Sequence, residues 1–277
     1  MLDKLLSFLL VYFFLLFNTA YAVSVPKRII SLAPSVTELL FAIEAGPQIV
    51  AVTKLCNYPP PAVNIAKIGD ITIDYERLML LKPDLVVAED SLNSEALKKL
   101  SDLKIRVLSI KNSSLRDISK NLRLLGQVTG KKVQGEIQAR RIEQGLKSLR
   151  NISLKLKTRP SVFIELWDQP LMTAGPGTFL DDVIWLAGGN NIGRTLTVSF
   201  PAISHEMVLE KNPDIIVLAN INADIEKVQS RPGWKNLQAV KRKRVYLINP
   251  DIIVRPGPRL LDGTKQLFNW FHPEKQL

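Results

Sequence analysis

The sequence predicts an α/β protein of two lobes, each a parallel sheet flanked by helices, joined by a single long connecting helix. Three observations carry this reading. Short β-rich runs alternate with helical stretches in both halves of the chain, the order expected of parallel strands linked by crossover helices. The phrase Lys82-Pro83-Asp84-Leu85-Val86-Val87 recurs as Asn212-Pro213-Asp214-Ile215-Ile216-Val217, with its prolines 130 residues apart (213 − 83). Between the halves, residues 131–157 carry Val133, Ile137, Ile142, Leu146, Leu149 and Leu156 on a charged background, close to the period of an amphipathic helix.

Along the chain, the first segment lies outside the folded unit. Lys4 precedes an apolar run from Leu5 to Phe17, broken by Ser7, and Ala20-Tyr21-Ala22 follows. These are the parts of a secretory signal peptide, residues 1–22. A membrane anchor is the competing reading, but thirteen residues at about 1.5 Å each fall short of a ~30 Å hydrocarbon core. No cysteine stands beside Ala22 to take a lipid, so the exported product is expected to be soluble.

The N-terminal lobe is assigned to residues 23–130. Its strands are read at 28–32, 49–52, 84–88 and 106–110, and its helices at 35–43, 74–82 and 94–104. The connecting helix, 131–157, would be about 40 Å long if continuous. Gly135 and Gly145 weaken it by up to about 1 kcal/mol each relative to alanine, and a helical hairpin packed on one lobe is the alternative. The C-terminal lobe, 158–277, repeats the pattern with strands at 162–167, 214–218 and 244–248. Its helices start near Thr178, Ser204, Asp224 and Arg259.

The internal repeat extends beyond the quoted phrase. Glu76 and Glu206 each lie eight residues before the repeated aspartate, and Arg106-Val107 matches Arg244-Val245. Asp74 and Ser204 are N-cap residues by type and place, which puts both glutamates in the first turn of equivalent helices. Two readings of the glutamates stand side by side. They complement a helix dipole, worth about 0.3–1 kcal/mol, or they face a partner that is itself a symmetric dimer. Spacing alone favours the dipole.

Composition narrows the function classes. The net charge is +11, which raises nucleic acid as a partner. Yet the basic residues are spread out, the run Lys241-Arg242-Lys243-Arg244 reads as a solvated turn, and export argues against nucleic acid. The single Cys56 cannot form an internal disulfide and reads as a packed small apolar residue. His205 and His272, the two histidines, read as surface residues and are too few for a zinc or manganese receptor. No G-x-S-x-G, Walker, CxxC or HExxH pattern occurs, so no catalytic or metal-ligating residue is assigned. Asp181-Asp182 reads as a dipole complement in a first helical turn.

A ligand is expected beyond the carboxyl ends of the strands. The loops there are proline-rich: Ala33-Pro34-Ser35, Cys56 to Pro61, Trp167 to Pro170, Thr197 to Pro201 and Asp251 to Arg259. With Tyr58, Trp167 and Phe200 they suit a large, partly apolar ligand held without much ordering cost. Each has a structural alternative. Tyr58 and Phe200 are either cleft walls or core residues at loop bases. Ser35 and Glu38 form S-x-x-E, a capping box. Gly175-Pro176-Gly177-Thr178 reads either as an anion site at a helix N-terminus or, in the favoured reading, as a turn with Thr178 as N-cap. Asp251 and Arg255 either meet polar ligand groups or pair with each other.

The ordered segments RIISLAPSVTELLFAI, CNYPPP, ERLMLLKPDLVV, PLMTAGPGTFLDDVIWLAGGNNI, RPGWKNLQAV and RPGPRLLDG resemble the periplasmic cobalamin-binding proteins of vitamin B12 ABC importers. These are solute receptors whose two lobes are joined by one long helix. The resemblance covers essentially the whole chain after the signal peptide. It implies a non-enzymatic, monomeric periplasmic receptor that carries a corrinoid as transported ligand, with no resident cofactor. The receptor would deliver that ligand to a dimeric permease with its ATPase subunits. By position, the corrinoid-contacting segment falls on Asp251, Ile252, Ile253, Val254 and Arg255, and the aromatic cleft residue on Phe200. Leu55 stands where a ligand-contacting tyrosine is expected, keeping apolar contact but not the hydroxyl. Tyr58, Trp167 and Pro34 complete the candidate set. The tryptophan expected just before the Glu76 helix is absent from Asp70 to Thr72. Glu76 and Glu206 fall on the permease-docking glutamates. A receptor for an iron-siderophore or haem on the same architecture is the alternative, with Tyr58 as a possible axial ligand.

Overall fold

A computed structural model describes residues 24–70, 72–275 and 277; the signal-peptide reading of residues 1–22 lies outside the described residues. Strands β1 (Ile29–Ser31), β2 (Ile49–Val52), β3 (Ala66–Lys67), β4 (Leu85–Glu89) and β5 (Val107–Ile110) form a five-stranded sheet in the order β3-β2-β1-β4-β5. Every pairing in it is parallel. Its helices are α1 (Pro34–Ala42), α2 (Pro60–Val63), α3 (Tyr75–Leu80), α4 (Ser94–Asp102) and α5 (Leu115–Val128). The long helix α6 (Lys132–Leu154) leads to the second sheet.

That sheet comprises β6 (Ser161–Glu165), β9 (Asn190–Asn191), β10 (Ile215–Leu218) and β11 (Val245–Leu247), ordered β11-β10-β6-β9 and again parallel. A small antiparallel hairpin, β7 (Trp167–Asp168) and β8 (Leu171–Met172), stands apart from it. The strand expected over 162–167 therefore stops at Glu165, and Trp167 leaves the sheet. The helices are α7 (Phe179–Leu186), α8 (His205–Lys211), α9 (Ile225–Gln229), α10 (Gln238–Lys241), α11 (Pro250–Ile253) and α12 (Leu260–Phe271).

Strand side chains alternate between two faces, and both sheets use the alternation in the same way. Ile29, Leu85, Val87, Val162, Ile164, Ile215 and Val217 all enter one core with Leu122, Ala139, Ile142, Leu149 and Phe268 from α5, α6 and α12. The intervening Ile30, Val86 and Ala88 pack a separate outer core of the first sheet. Phe163, Ile216 and Leu218 do so for the second. One helical layer thus underlies both sheets.

The repeated phrase has a structural reason. A left-handed residue (Lys82 at φ 46°, Asn212 at φ 41°) ends each preceding helix, and the proline then turns the chain into a strand. The following aspartate ties that strand to its neighbour. Asp84 accepts from the amides of Lys27 at 2.7 Å and Arg28 at 3.0 Å, just ahead of β1. Asp214 accepts from the Ser161 amide at 2.9 Å and its hydroxyl at 2.8 Å, at the start of β6. The same device sets the register of the central strand pair in each lobe.

The connecting segment joins the two arrangements held open above. Helix α6 runs from one sheet to the other, and at its start it packs against α5 as a hairpin turned at Gly130 (φ 73°). At Gly135 a Cβ would stand 2.6 Å from the Leu122 carbonyl oxygen and 3.1 Å from the Gly126 Cα. Gly135 is therefore required by backbone approach, which outweighs its helix-propensity cost. The predicted apolar stripe is corrected here: Val133 and Ile137 are exposed, while Gly135, Ala139, Ile142, Leu149 and Ser153 form the buried face. Helix α5 is an element beyond those expected from the sequence. His272 is also corrected: it is buried, with Nε2 3.1 Å from the Gly188 carbonyl oxygen. Cys56 is buried between the hydroxyls of Thr37 and Thr53, and His205 is exposed.

Two stability outcomes are expected. Asp84→Ala and Asp214→Ala should each lower urea-unfolding stability by about 1–2 kcal/mol, since charge-assisted bonds to the neighbouring strand are lost from sites still open to water. Hydrogen bonds from Ser161 hold the Asp214 pKa below its ordinary 3.8 against the opposing effect of burial. Its contribution is thus complete above about pH 4 and is lost as pH falls through the native pKa. Gly135→Ala should destabilise by about 1–3 kcal/mol through overpacking although alanine is the better helix former; unchanged stability would contradict the packing account.

Candidate functional site

The loops at the carboxyl ends of both sheets meet, and they meet through polar side chains. Asn57, in the loop after β2, donates from Nδ2 to Asp251 Oδ2 at 2.8 Å and accepts from Arg255 Nη1 at 2.7 Å. Arg255 closes the ring on Asp251 Oδ1 at 2.7 Å and also reaches the Leu55 carbonyl at 3.4 Å. The two alternatives for Asp251 and Arg255 are thereby resolved in part: they pair directly with each other, and Asn57 of the opposite lobe bonds to both.

Beneath this ring lies a buried carboxylate. Glu38 on α1, with 2% of its side chain exposed, receives Arg259 Nη2 at 2.5 Å and stands 3.5 Å from Arg255 Nη1. Arg259 Nε donates to its second oxygen at 2.8 Å. The expected Ser35–Glu38 capping box is therefore absent. Proline at the first turn of α1 leaves one fewer amide to satisfy, and Ser35 donates instead to Glu89 at 2.6 Å. Burial acts against the Arg259 charge, yet hydrogen bonds and charge from Glu38 carry its pKa above the ordinary guanidinium value. The Arg259 guanidinium also covers the Tyr58 ring at 3.9 Å. A further tie crosses the seam where Asn112 donates to the Pro256 carbonyl at 2.8 Å.

Of the apolar candidates, Leu55 and Tyr58 adjoin these polar groups through Arg255 and Arg259, whereas Trp167 and Phe200 lie on other loops of the second lobe. Leu55, Tyr58, Trp167 and Phe200 are 47%, 40%, 48% and 48% exposed, so Tyr58 and Phe200 are not core residues at loop bases. Trp167 is held in its hairpin by an indole bond to the Gln169 carbonyl at 2.9 Å. Phe200 lies in a loop bonded to the β8 side through Gly175 to Ser199 and Thr173 to Pro201. Pro34 is half-buried at the first position of α1. Ile252 and Val254 are half-buried on α11 and just after it, but Ile253 is fully buried in the shared core. Ile253 thus offers no surface to a ligand, because the helical turn points it inward. Asn57, Glu38 and Arg259 are not among the site residues expected from sequence, where Glu38 reads as a cap and Arg259 as a helix start.

Glu76 and Glu206 occupy matching places. Asp74 caps α3 by accepting from the Arg77 amide, and Ser204 caps α8 by accepting from the Met207 amide. Each glutamate is the second residue of its helix, and both are exposed. Bonds from its own amide and from Ser204 lower the Glu206 pKa, so it stays ionised at neutral pH. Thr178 caps α7 as expected, with Asp181 and Asp182 in the first turn. Asp181 also pairs with Arg194 at 2.9 Å. Among the described residues, no group of three His, Cys, Asp or Glu side chains is placed to hold a metal ion, and no helix is long and apolar enough to cross a membrane.

A family model described as periplasmic binding protein matches residues 29–252. The vitamin B12-binding protein of Pectobacterium atrosepticum is 33% identical over 259 residues, spanning 91% of this chain and 90% of that protein. The crystal structure of the periplasmic vitamin B12-binding protein BtuF of Vibrio cholerae superposes with a TM-score of 0.81 at 31% identity, covering 91% of this chain and 99% of that one. The periplasmic haem-binding protein RhuT from Roseiflexus sp. RS-1, in apo form, shares the fold at a TM-score of 0.80 and 24% identity, covering 89% and 98%. Residues 29–252 include both sheets and the helix between them, so the chain belongs to the periplasmic binding protein family, the non-enzymatic substrate-binding components of ABC transporters, which carry a transported ligand rather than a cofactor.

Proposed function

We propose that this protein captures cobalamin or a closely related corrinoid in the cleft between its lobes and delivers it, as a monomer in the periplasm, to a dimeric ABC permease with its ATPase subunits. One observation carries the ligand class: half-exposed Leu55 and Tyr58 adjoin the polar set of Asn57, Asp251, Arg255 and Arg259, and Trp167 and Phe200 stand equally exposed on loops of the other lobe. A corrinoid offers broad apolar faces with amide groups at the periphery, and this combination serves both. The 33%-identical relative with B12-binding in its name supports the same ligand. Micromolar to nanomolar capture needs about −8 to −12 kcal/mol. Aromatic burial at roughly 25 cal/mol per Å² supplies much of it before ordering costs.

The shared core beneath both sheets supports modest closure about a stiff spine rather than wide hinge opening. Glu76 and Glu206 are the docking residues in this reading. Their helices are related by the internal repeat, so each lobe presents one exposed carboxylate to one half of a symmetric permease.

Titration of the purified protein with cyanocobalamin should quench tryptophan emission and saturate in the micromolar to nanomolar range, with haem and a ferric siderophore at least tenfold weaker. Phe200→Ala should raise the dissociation constant roughly ten- to hundredfold, the equivalent of about 1.5–3 kcal/mol of lost apolar burial. Tighter binding of haem than of cyanocobalamin would sink the ligand assignment. Glu76→Ala with Glu206→Ala should leave cyanocobalamin affinity within about twofold and reduce importer-mediated uptake in proteoliposomes at least tenfold, a loss of about 1.4 kcal/mol or more. Equal loss of capture and uptake would show the glutamates to be misassigned.

A further inference from the structure

The candidate ligand-facing groups Arg255 and Tyr58 come from opposite lobes, and one buried carboxylate reaches both. Glu38 Oε1 lies 3.5 Å from Arg255 Nη1. Its two oxygens also take the fork of Arg259, at 2.5 and 2.8 Å, and that same guanidinium lies 3.9 Å over the Tyr58 ring. Arg259 Nη2 further donates to the Asp251 carbonyl at 3.3 Å. A carboxylate 2% exposed is stable only when its charge is matched and its lone pairs are used. Here both conditions are met by arginines from the other lobe. The arginines in turn are only 15% and 17% exposed, so neither can relax into water if the carboxylate is removed.

We propose that Glu38 is the positioning residue of the cleft: through Arg259 it fixes the Tyr58 ring, and directly it holds Arg255 in the orientation that Asn57 and Asp251 complete. The segment Asn249 to Arg259, seated on its own half through Ile252 and Ile253, is then fixed in orientation by the N-terminal lobe. It is held at Arg255 by Asn57, at Pro256 by Asn112 and at Arg259 by Glu38. Contact between Glu38 and the ligand is no part of this role. The effect on affinity rests on the corrinoid reading above; the effect on segment order does not.

Glu38→Gln keeps the shape and removes the charge, and it separates the two questions. In the ligand-free protein, hydrogen exchange at the Ile252, Val254 and Gly257 amides, each bonded within the segment, should accelerate at least tenfold. Amides of β1 and β10 should stay unchanged. Cyanocobalamin affinity should fall at least tenfold, and Glu38→Gln added to Arg255→Ala should cost less than the product of the two single penalties, because the Arg255 arm is already gone in that background and only the Arg259–Tyr58 arm remains to be lost. If Glu38→Gln does not fold, Arg259→Lys replaces it, losing the planar fork and the ring contact while keeping charge. Unchanged exchange in the segment, or penalties that multiply in full, would overturn the proposal. Failure of the wild-type protein to bind cyanocobalamin would instead remove the corrinoid reading, and the exchange result would still decide whether Glu38 positions the segment.

Discussion

The apolar layer shared by both sheets is the constraint from which the other features follow. Alternate residues of β1, β4, β6 and β10 bury against α5, α6 and α12 in one continuous core. Separating the lobes widely would expose that surface to water at roughly 25 cal/mol per Å². A cleft built on such a base keeps its geometry. Loops anchored on such a frame lose less freedom when a ligand binds.

Above that core the lobes touch through charge rather than through further apolar surface. The Glu38, Arg255, Arg259, Asn57 and Asp251 groups form a nearly closed polar set. Buried ion pairs of this kind contribute little net stability, since desolvation offsets much of the attraction. An alternative docking of the loops would strand one of these charges, and an unpaired buried charge costs about 3–5 kcal/mol. Stability and alignment thus reside in different layers of the molecule.

Internal repetition serves two purposes that the chain keeps separate. Asp84 and Asp214 stitch the central strand pair of each lobe, and this explains the repeat without reference to any partner. Glu76 and Glu206 bond to no neighbouring strand and stand exposed on capped helix starts. The same duplication that sets strand register therefore also leaves two like carboxylates at equivalent sites. A symmetric partner can use both.

Periodicity, caps and repetition were legible in the chain itself. The alternating strands and helices, the N-caps at Asp74, Thr178 and Ser204 and the paired glutamates each depend on residues close in sequence, where local sterics and hydrogen bonding decide the outcome. Helix α5 carries the same kind of signal, in Ser114 with Asp117 and in Leu115, Ile118, Leu122 and Leu125. What packing alone decided was the use of residues whose partners are distant. Glu38 follows a serine by three residues and reads as a cap, yet its charge is claimed by arginines more than two hundred positions away. Val133 and Ile137 fit a helical stripe, yet glycine and alanine take the buried face because two backbones approach there. Local rules fix what a segment can become; which face it buries, and which charge it meets, waits on contacts that no window of sequence contains.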